Sequence, residues 1–126
     1  MSDFDHNRRL RVLVVDDEWL VRETLADVLD EAGFSTRQAM SASEALRQLQ
    51  RDEAVDVVVT DIEMPGVLDG ADLARLLAAQ RPEIGVLIVS GRSPRSLPNG
   101  VRFLAKPFMP EDLLHALSDL TAAPVH

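Results

Sequence analysis

Four short stretches of the 126-residue chain place reactive side chains directly after runs of β-branched or aliphatic residues. Asp16-Asp17 follows Leu10-Arg11-Val12-Leu13-Val14-Val15, Asp61 follows Val57-Val58-Val59-Thr60, Ser90 closes Ile84 to Val89, and Lys106 follows Val101-Arg102-Phe103-Leu104-Ala105. An acid at the carboxyl end of a buried parallel strand sits where open α/β sheets hold their ligands. Three carboxylates gathered in one crevice raise one another's pKa unless a cation stands among them. Oxygen donors without His or Cys suit a hard divalent ion, and a partly hydrated Mg²⁺ fits a few acids plus a transferred phosphate. Asp61, the central acid, has the chemistry of a nucleophile that forms an acyl phosphate, with metal and cation offsetting charge on the phosphoryl oxygens. Lys106 is the only lysine, the other twelve of the thirteen basic residues being arginines. A compact ammonium on a flexible stem reaches a buried carboxylate where a planar guanidinium does not fit. Ser90 can donate its hydroxyl to a phosphoryl oxygen, and Gly91 is expected to let the backbone approach closely.

The elements that must position these groups follow from periodicity and punctuation. After the first strand a helix begins near Glu18, with Leu20, Val21, Leu25, Val28, Leu29 and Ala32 at helical spacing and Gly33 placed to end it. Phe34 to Gln38 reads as a short strand. Ser41-Ala42-Ser43-Glu44 has the capping-box pattern and opens a helix with Ala45, Leu46 and Leu49 inward. Asp56 to Thr60 is the central strand, broken by Met64-Pro65-Gly66. A helix from about Ala71 to Gln80 turns Leu73, Leu76 and Leu77 inward, with Pro82 beyond its end. Pro110 suits the first turn of a last helix whose stripe is Leu113, Leu114, Leu117 and Leu120. Alternation of strand and helix predicts a doubly wound parallel sheet, and order 2-1-3-4-5 brings the ends of strands one, three, four and five around one crevice.

Composition bounds the rest. One domain of this length buries a core without staples, and a hydrophobic fraction of 46% argues against disorder. No apolar run is long enough to span a bilayer, and residues 1–9, a polar lead-in expected to be flexible, carry no signal-peptide apolar region. Zero cysteines exclude disulfides and thiol catalysis and fit a cytoplasmic protein. A net charge of −8 disfavours direct contact with nucleic acid. His6, His115 and His126 fall outside the crevice, and no membrane partner is expected.

With these residues in hand, the chain resembles the receiver domain of two-component response regulators over residues 10–121, leaving 122–126 as a C-terminal tail. Asp16-Asp17, Asp61 with Met64-Pro65-Gly66, Asp69-Gly70, Ser90-Gly91 and Lys106-Pro107-Phe108 carry the resemblance. It implies a flavodoxin-like fold in which Asp61 accepts a phosphoryl group from a histidine kinase or histidine phosphotransfer protein. It also implies Mg²⁺ held by Asp16, Asp17, Asp61 and the backbone carbonyl of Glu63, with Ser90 and Phe103 as switch residues. Such a domain is no enzyme beyond its own phosphorylation and dephosphorylation. It signals through a downstream protein target, as a monomer or weak dimer. The alternatives are a phosphate sink or relay, a binding module of the same fold that works without phosphorylation, and a small-molecule phosphatase. No insertion is long enough to build a substrate cap for the last, and an acidic crevice repels the phosphate of a flavin.

Two spacings depart from the commonest pattern of that family. One extra residue separates Met64-Pro65-Gly66 from Asp69-Gly70. Only fifteen residues lie between Ser90 and Lys106, with Pro94 and Pro98 among them, so the fourth helix is expected to be shortened or irregular. Glu63 and Arg92, each two residues past a strand-end group, are expected to pair at the rim and tune the phosphoryl lifetime.

Overall fold

A computed structural model describes residues 9–51 and 54–121. The expected lead-in, apart from Arg9, and the expected tail at 122–126 lie outside the described residues, as do His6 and His126. Five parallel strands, β1 (Arg11–Val15), β2 (Ser35–Ala39), β3 (Val57–Thr60), β4 (Gly85–Ser90) and β5 (Val101–Ala105), form one sheet in the order β2-β1-β3-β4-β5. Four helices, α1 (Trp19–Glu31), α2 (Ala42–Gln50), α3 (Gly70–Gln80) and α4 (Pro110–Thr121), cover it. Strand order and helix sequence match the expectation, with boundaries moved by about a residue.

Both faces of the central strands are dry because Val12–Val15, Val57–Val59 and Val86–Val89 are unbroken apolar runs. Val57, Val58 and Val59 are all fully buried, as are Leu13 and Val14. Leu13, Val15 and Ile88 pack under α2 and α3, whereas Val12, Val14, Val59 and Leu87 pack under α1 and α4. Burying one such side chain contributes roughly 1.5–3 kcal/mol, so β1, β3 and β4, which lead to Asp16, Asp61 and Ser90, are more firmly held than the edge strand β5, which has no fully buried residue.

The helix ends are set by local chemistry. At the end of α1, Gly33 takes φ +101°, its N–H donates to Asp30 O and the Phe34 N–H donates to Leu29 O, the paired bonds of a Schellman turn. Ser41 caps α2 by accepting from the Glu44 N–H at 3.0 Å, but the Glu44 carboxylate takes the N–H of Met40 instead of that of Ser41. The reciprocal capping box is at α3, where Asp69 and Asp72 exchange side-chain and backbone bonds.

Two residues of the α1 apolar spacing do not face the core. Leu20 is 68% exposed, since the first turn of α1 lies beside the Pro107-Phe108 turn and not over the sheet. Ala32 is exposed because it is already the C-cap, and Ala26 is the small residue that packs inward instead. The shortening of the fourth crossover is complete: none of residues 91–100 is helical. Leu97 alone of this segment packs against the core.

Candidate functional site at the carboxyl edge of the sheet

Register brings the reactive groups together. Val15 pairs with Thr60 across β1 and β3, so the next residues, Asp16 and Asp61, stand side by side at the strand ends. Ser90 pairs with Ala105 across β4 and β5, and the Lys106 N–H donates to Ser90 O at 2.9 Å. From there the Lys106 side chain spans the crevice. Its Nζ lies 3.2 Å from Asp61 Oδ2 and 3.8 Å from Asp16 Oδ2.

The two acids differ in environment. Asp16 is fully buried; its Oδ1 accepts from the Glu18 N–H at 2.9 Å, and its Oδ2 has no hydrogen-bond partner among the described residues. Burial chiefly raises its pKa, against the Glu18 N–H and the Lys106 charge, which lower it; the charges of Asp61 and Asp17 raise it further. Asp61 keeps 16% of its side chain accessible, and its Oδ1 accepts from the Glu63 N–H at 3.3 Å. It is therefore tethered yet reachable from solvent. Asp17 is exposed at the rim. Among the described residues no three Asp, Glu, His or Cys side chains stand at metal-ligand spacing. The buried, unpartnered Asp16 Oδ2 beside further carboxylate oxygens is nonetheless a donor set that fits a hard cation.

Ser90 is buried, and its Oγ accepts from the Arg92 N–H at 3.2 Å. Phe103 is half-buried, paired in register with Ile88 and packed against the core. Arg92 Nη1 donates to Glu63 Oε2 at 2.7 Å, so the rim pair forms, although both side chains are largely exposed. Beyond its chain neighbours, nothing lies within 4 Å of a Cβ placed on Gly91, whereas Gly70 has backbone packed against it. His115 is exposed on α4, away from these groups.

Three contributions escape a reading of spacing alone. A Cβ on Gly70 would lie 1.7 Å from the Asp61 carbonyl oxygen, while the Gly70 N–H donates to Ile62 O at 2.8 Å. The helix start thus clamps the loop that carries Asp61, and the Asp69-Gly70 pair was its only signal. Arg22 Nη1 donates to Asp16 O at 2.8 Å and its Nε to Gln38, fixing the backbone of the buried acid; nothing distinguishes Arg22 among twelve arginines. Finally, Leu20, Val21, Thr24, Leu25, Pro107 and Phe108 line an open groove of about 630 Å³ beside Lys106, with Trp19 and Met109 also exposed nearby in sequence. Trp19-Leu20 at a helix start was its sequence signal.

Residues 12–118 match the family described as the response regulator receiver domain. This chain belongs to the receiver family of two-component signalling. It is 37% identical over 111 residues to the response regulator MprA of Mycolicibacterium vanbaalenii, covering 83% of this chain and 47% of that protein. It is 45% identical over 109 residues to protein-glutamate methylesterase/protein-glutamine glutaminase 5 of Anaeromyxobacter dehalogenans, covering 79% of this chain and 30% of that one. A solved response regulator receiver protein from Sinorhizobium medicae superposes with TM-score 0.82 at 29% identity, covering 90% of this chain and 94% of that one. The chain spans less than half the length of these curated relatives, so the match covers a signalling domain common to proteins with different further parts. The flavodoxin-like fold is that of the receiver family, and no helix among the described residues is long and apolar enough to cross a membrane.

Proposed function

We propose that this receiver accepts a phosphoryl group on Asp61 from a histidine kinase or a histidine phosphotransfer protein and thereby switches its contacts with a downstream protein. The observation that carries the reading is Lys106 Nζ at 3.2 Å from the accessible Asp61 carboxylate, beside the buried and unpartnered Asp16 Oδ2. An Asp61 oxygen attacks phosphorus as the P–N bond of the donor's phosphohistidine breaks, and the imidazole leaves with a proton. Asp16, Asp17, Asp61 and the backbone carbonyl of Glu63 are the residues that would hold Mg²⁺, which when bound offsets the charge of the phosphoryl oxygens. Lys106 would share that task, and before transfer it offsets the charge of the Asp61 and Asp16 carboxylates.

Ser90 exchanges its acceptance from the Arg92 N–H for donation to a phosphoryl oxygen, and the half-buried Phe103 moves into the space this opens. Glu63 and Arg92 tune the lifetime from the rim. The apolar groove along α1 and Pro107-Phe108 opens beside Lys106, where a donor helix would bring its phosphohistidine to Asp61, and exposed apolar surface of this kind marks contact sites. Residues 10–121 act as the receiver unit, in the cytoplasm, as a monomer or weak dimer with no direct contact to nucleic acid or membrane. Phosphate-sink and relay roles use this same chemistry; a module indifferent to phosphorylation would have no use for the Lys106–Asp61 geometry.

Incubation with labelled acetyl phosphate and Mg²⁺ should give a base-labile, acid-stable label that Asp61→Ala lacks. Lys106→Arg should fold and lose most of the phosphorylation-linked change. Equal labelling of Asp61→Ala would overturn the assignment.

A further inference from the structure

On the other side of the sheet from the α1 groove, the missing crossover helix leaves a second cleft of about 420 Å³ between the start of α3 and the segment after β4. Ile62, Ala71 and Pro94 supply apolar surface, and Arg75, Arg92 and Arg95 stand around it with Glu63 as the only acid in the lining. The lining therefore sums to +2 on a chain whose net charge is −8. It has no lining residue in common with the α1 groove.

The three guanidinium groups are not consumed by the fold. Arg92 engages Glu63 through one nitrogen and Arg75 engages Asp72 through one, with 77% and 59% of their side chains exposed. Arg95 is exposed and has no ion pair or hydrogen bond among the described residues. Each guanidinium offers five donors, so most of this capacity faces solvent. The backbone adds more: the amides of Ser93, Arg95 and Ser96 donate no hydrogen bond among the described residues. Ser93 and Ser96 bring hydroxyls to the same stretch.

We infer that this cleft docks an extended acidic segment of a partner protein, with apolar side chains on Ile62, Ala71 and Pro94 and carboxylates on Arg75, Arg92 and Arg95. Charge sign sets the partner's chemistry, and exposure sets its size. Exposed single ion pairs contribute little, so a small anion gains too few contacts here, whereas a segment makes several at once and adds apolar contact. A long polyanion is opposed by the field of the acidic remainder of the chain. An incoming carboxylate also competes with Glu63 for Arg92. This docking requires no phosphoryl group on Asp61, although it uses residues 92–96 of the segment expected to respond to one, so the unphosphorylated protein tests it apart from the proposed function.

The test uses the unphosphorylated protein, wild type and Asp61→Ala, titrated with a fluorescein-labelled octapeptide alternating glutamate and leucine, with backbone NMR shifts read in parallel. Binding should weaken with added salt, and shifts should centre on residues 62–63, 71–75 and 92–96 in both proteins. Arg92→Glu/Arg95→Glu should weaken binding at least about tenfold, whereas Arg47→Glu/Arg51→Glu, at the end of α2 and its C-cap, should change it less than about twofold. Equal weakening by the α2 pair, or shifts centred elsewhere, would reduce the effect to net charge and overturn the proposal. So would inorganic phosphate or oligoglutamate competing as well as the peptide. Self-association of the wild type that Arg92→Glu/Arg95→Glu abolishes would make the occupant a second copy and overturn it likewise.

Discussion

Gly70 and Asp61, nine positions apart, meet so closely that a single added carbon on the glycine would lie 1.7 Å from the aspartate's carbonyl oxygen. The N-terminus of α3 therefore fixes the height at which Asp61 leaves β3. Its capping box, Asp69 with Asp72, fixes the start of α3 in turn. Chain connectivity turns helix-capping chemistry into placement of a strand-end acid.

Gly70→Ala drives a methyl carbon into the Asp61 backbone, a clash that no flexible side chain can relieve. It should destabilise the fold by about 2–4 kcal/mol in urea denaturation. Gly91→Ala, with open space around the added carbon, should stay within about 0.5 kcal/mol. Similar losses at both glycines would show that the α3 clamp does not hold the loop.

Asp16 should make stability fall as pH rises. Burial lifts its pKa above the ordinary 3.8, so the folded state binds this proton more tightly than the unfolded chain. The contribution is fully present below the unfolded pKa and lost as pH rises through the folded one. At pH 7 the buried, imperfectly paired charge is a cost, so Asp16→Asn should raise stability there and lose that advantage as pH falls below the ordinary carboxylate pKa of 3.8. Mg²⁺ should stabilise the wild type and not Asp16→Asn. A variant less stable than wild type at pH 7 without metal would contradict this account.

How far the sequence carried these conclusions depended on the kind of signal. Strand order and the meeting of Asp16, Asp61 and Lys106 were legible because apolar runs ending in charge define strands and their common edge. The absent crossover helix was legible as a shortage of residues between Ser90 and Lys106. The exposure of Leu20 was not legible because periodicity reports which side of a helix is apolar, not where the sheet beneath it stops. The close contact at Gly70 was not legible because it depends on how segments apart in sequence pack. The Arg22 bond to Asp16 O joins residues on two elements, and no local pattern announces it.

The Glu63–Arg92 pair should matter for turnover and hardly at all for folding. Its side chains are 62% and 77% exposed, which limits such a bond to about 0–1 kcal/mol. Replacing both with Ala should leave the urea midpoint nearly unchanged and speed loss of the acyl phosphate by no more than about fivefold. Label-decay measurements check this, and an unchanged or slower decay rules out shielding by the pair.

The segment from Gly91 to Gly100 should respond most to phosphorylation. Its internal support is thin: Val101 N–H reaches Pro98 O at 3.2 Å and Arg92 N–H reaches Ser90 Oγ, while the amides of Ser93, Arg95, Ser96, Leu97, Asn99 and Gly100 donate no hydrogen bond among the described residues. Leu97 is its single apolar anchor in the core, too little buried area to offset the entropy of ordering ten residues. The segment also joins Ser90 to the strand of Phe103, so movement at either end is transmitted through it. Phosphorylation should act on it as an order–disorder element, since no helix is present to shift as a body. Hydrogen exchange followed by mass spectrometry should find peptides spanning 92–101 exchanging within seconds in the free protein and slowed at least about tenfold once Asp61 carries a phosphoryl group or a beryllofluoride mimic. Strong protection of these amides before phosphorylation would defeat the proposal, because it requires bonds that this arrangement of the segment does not contain.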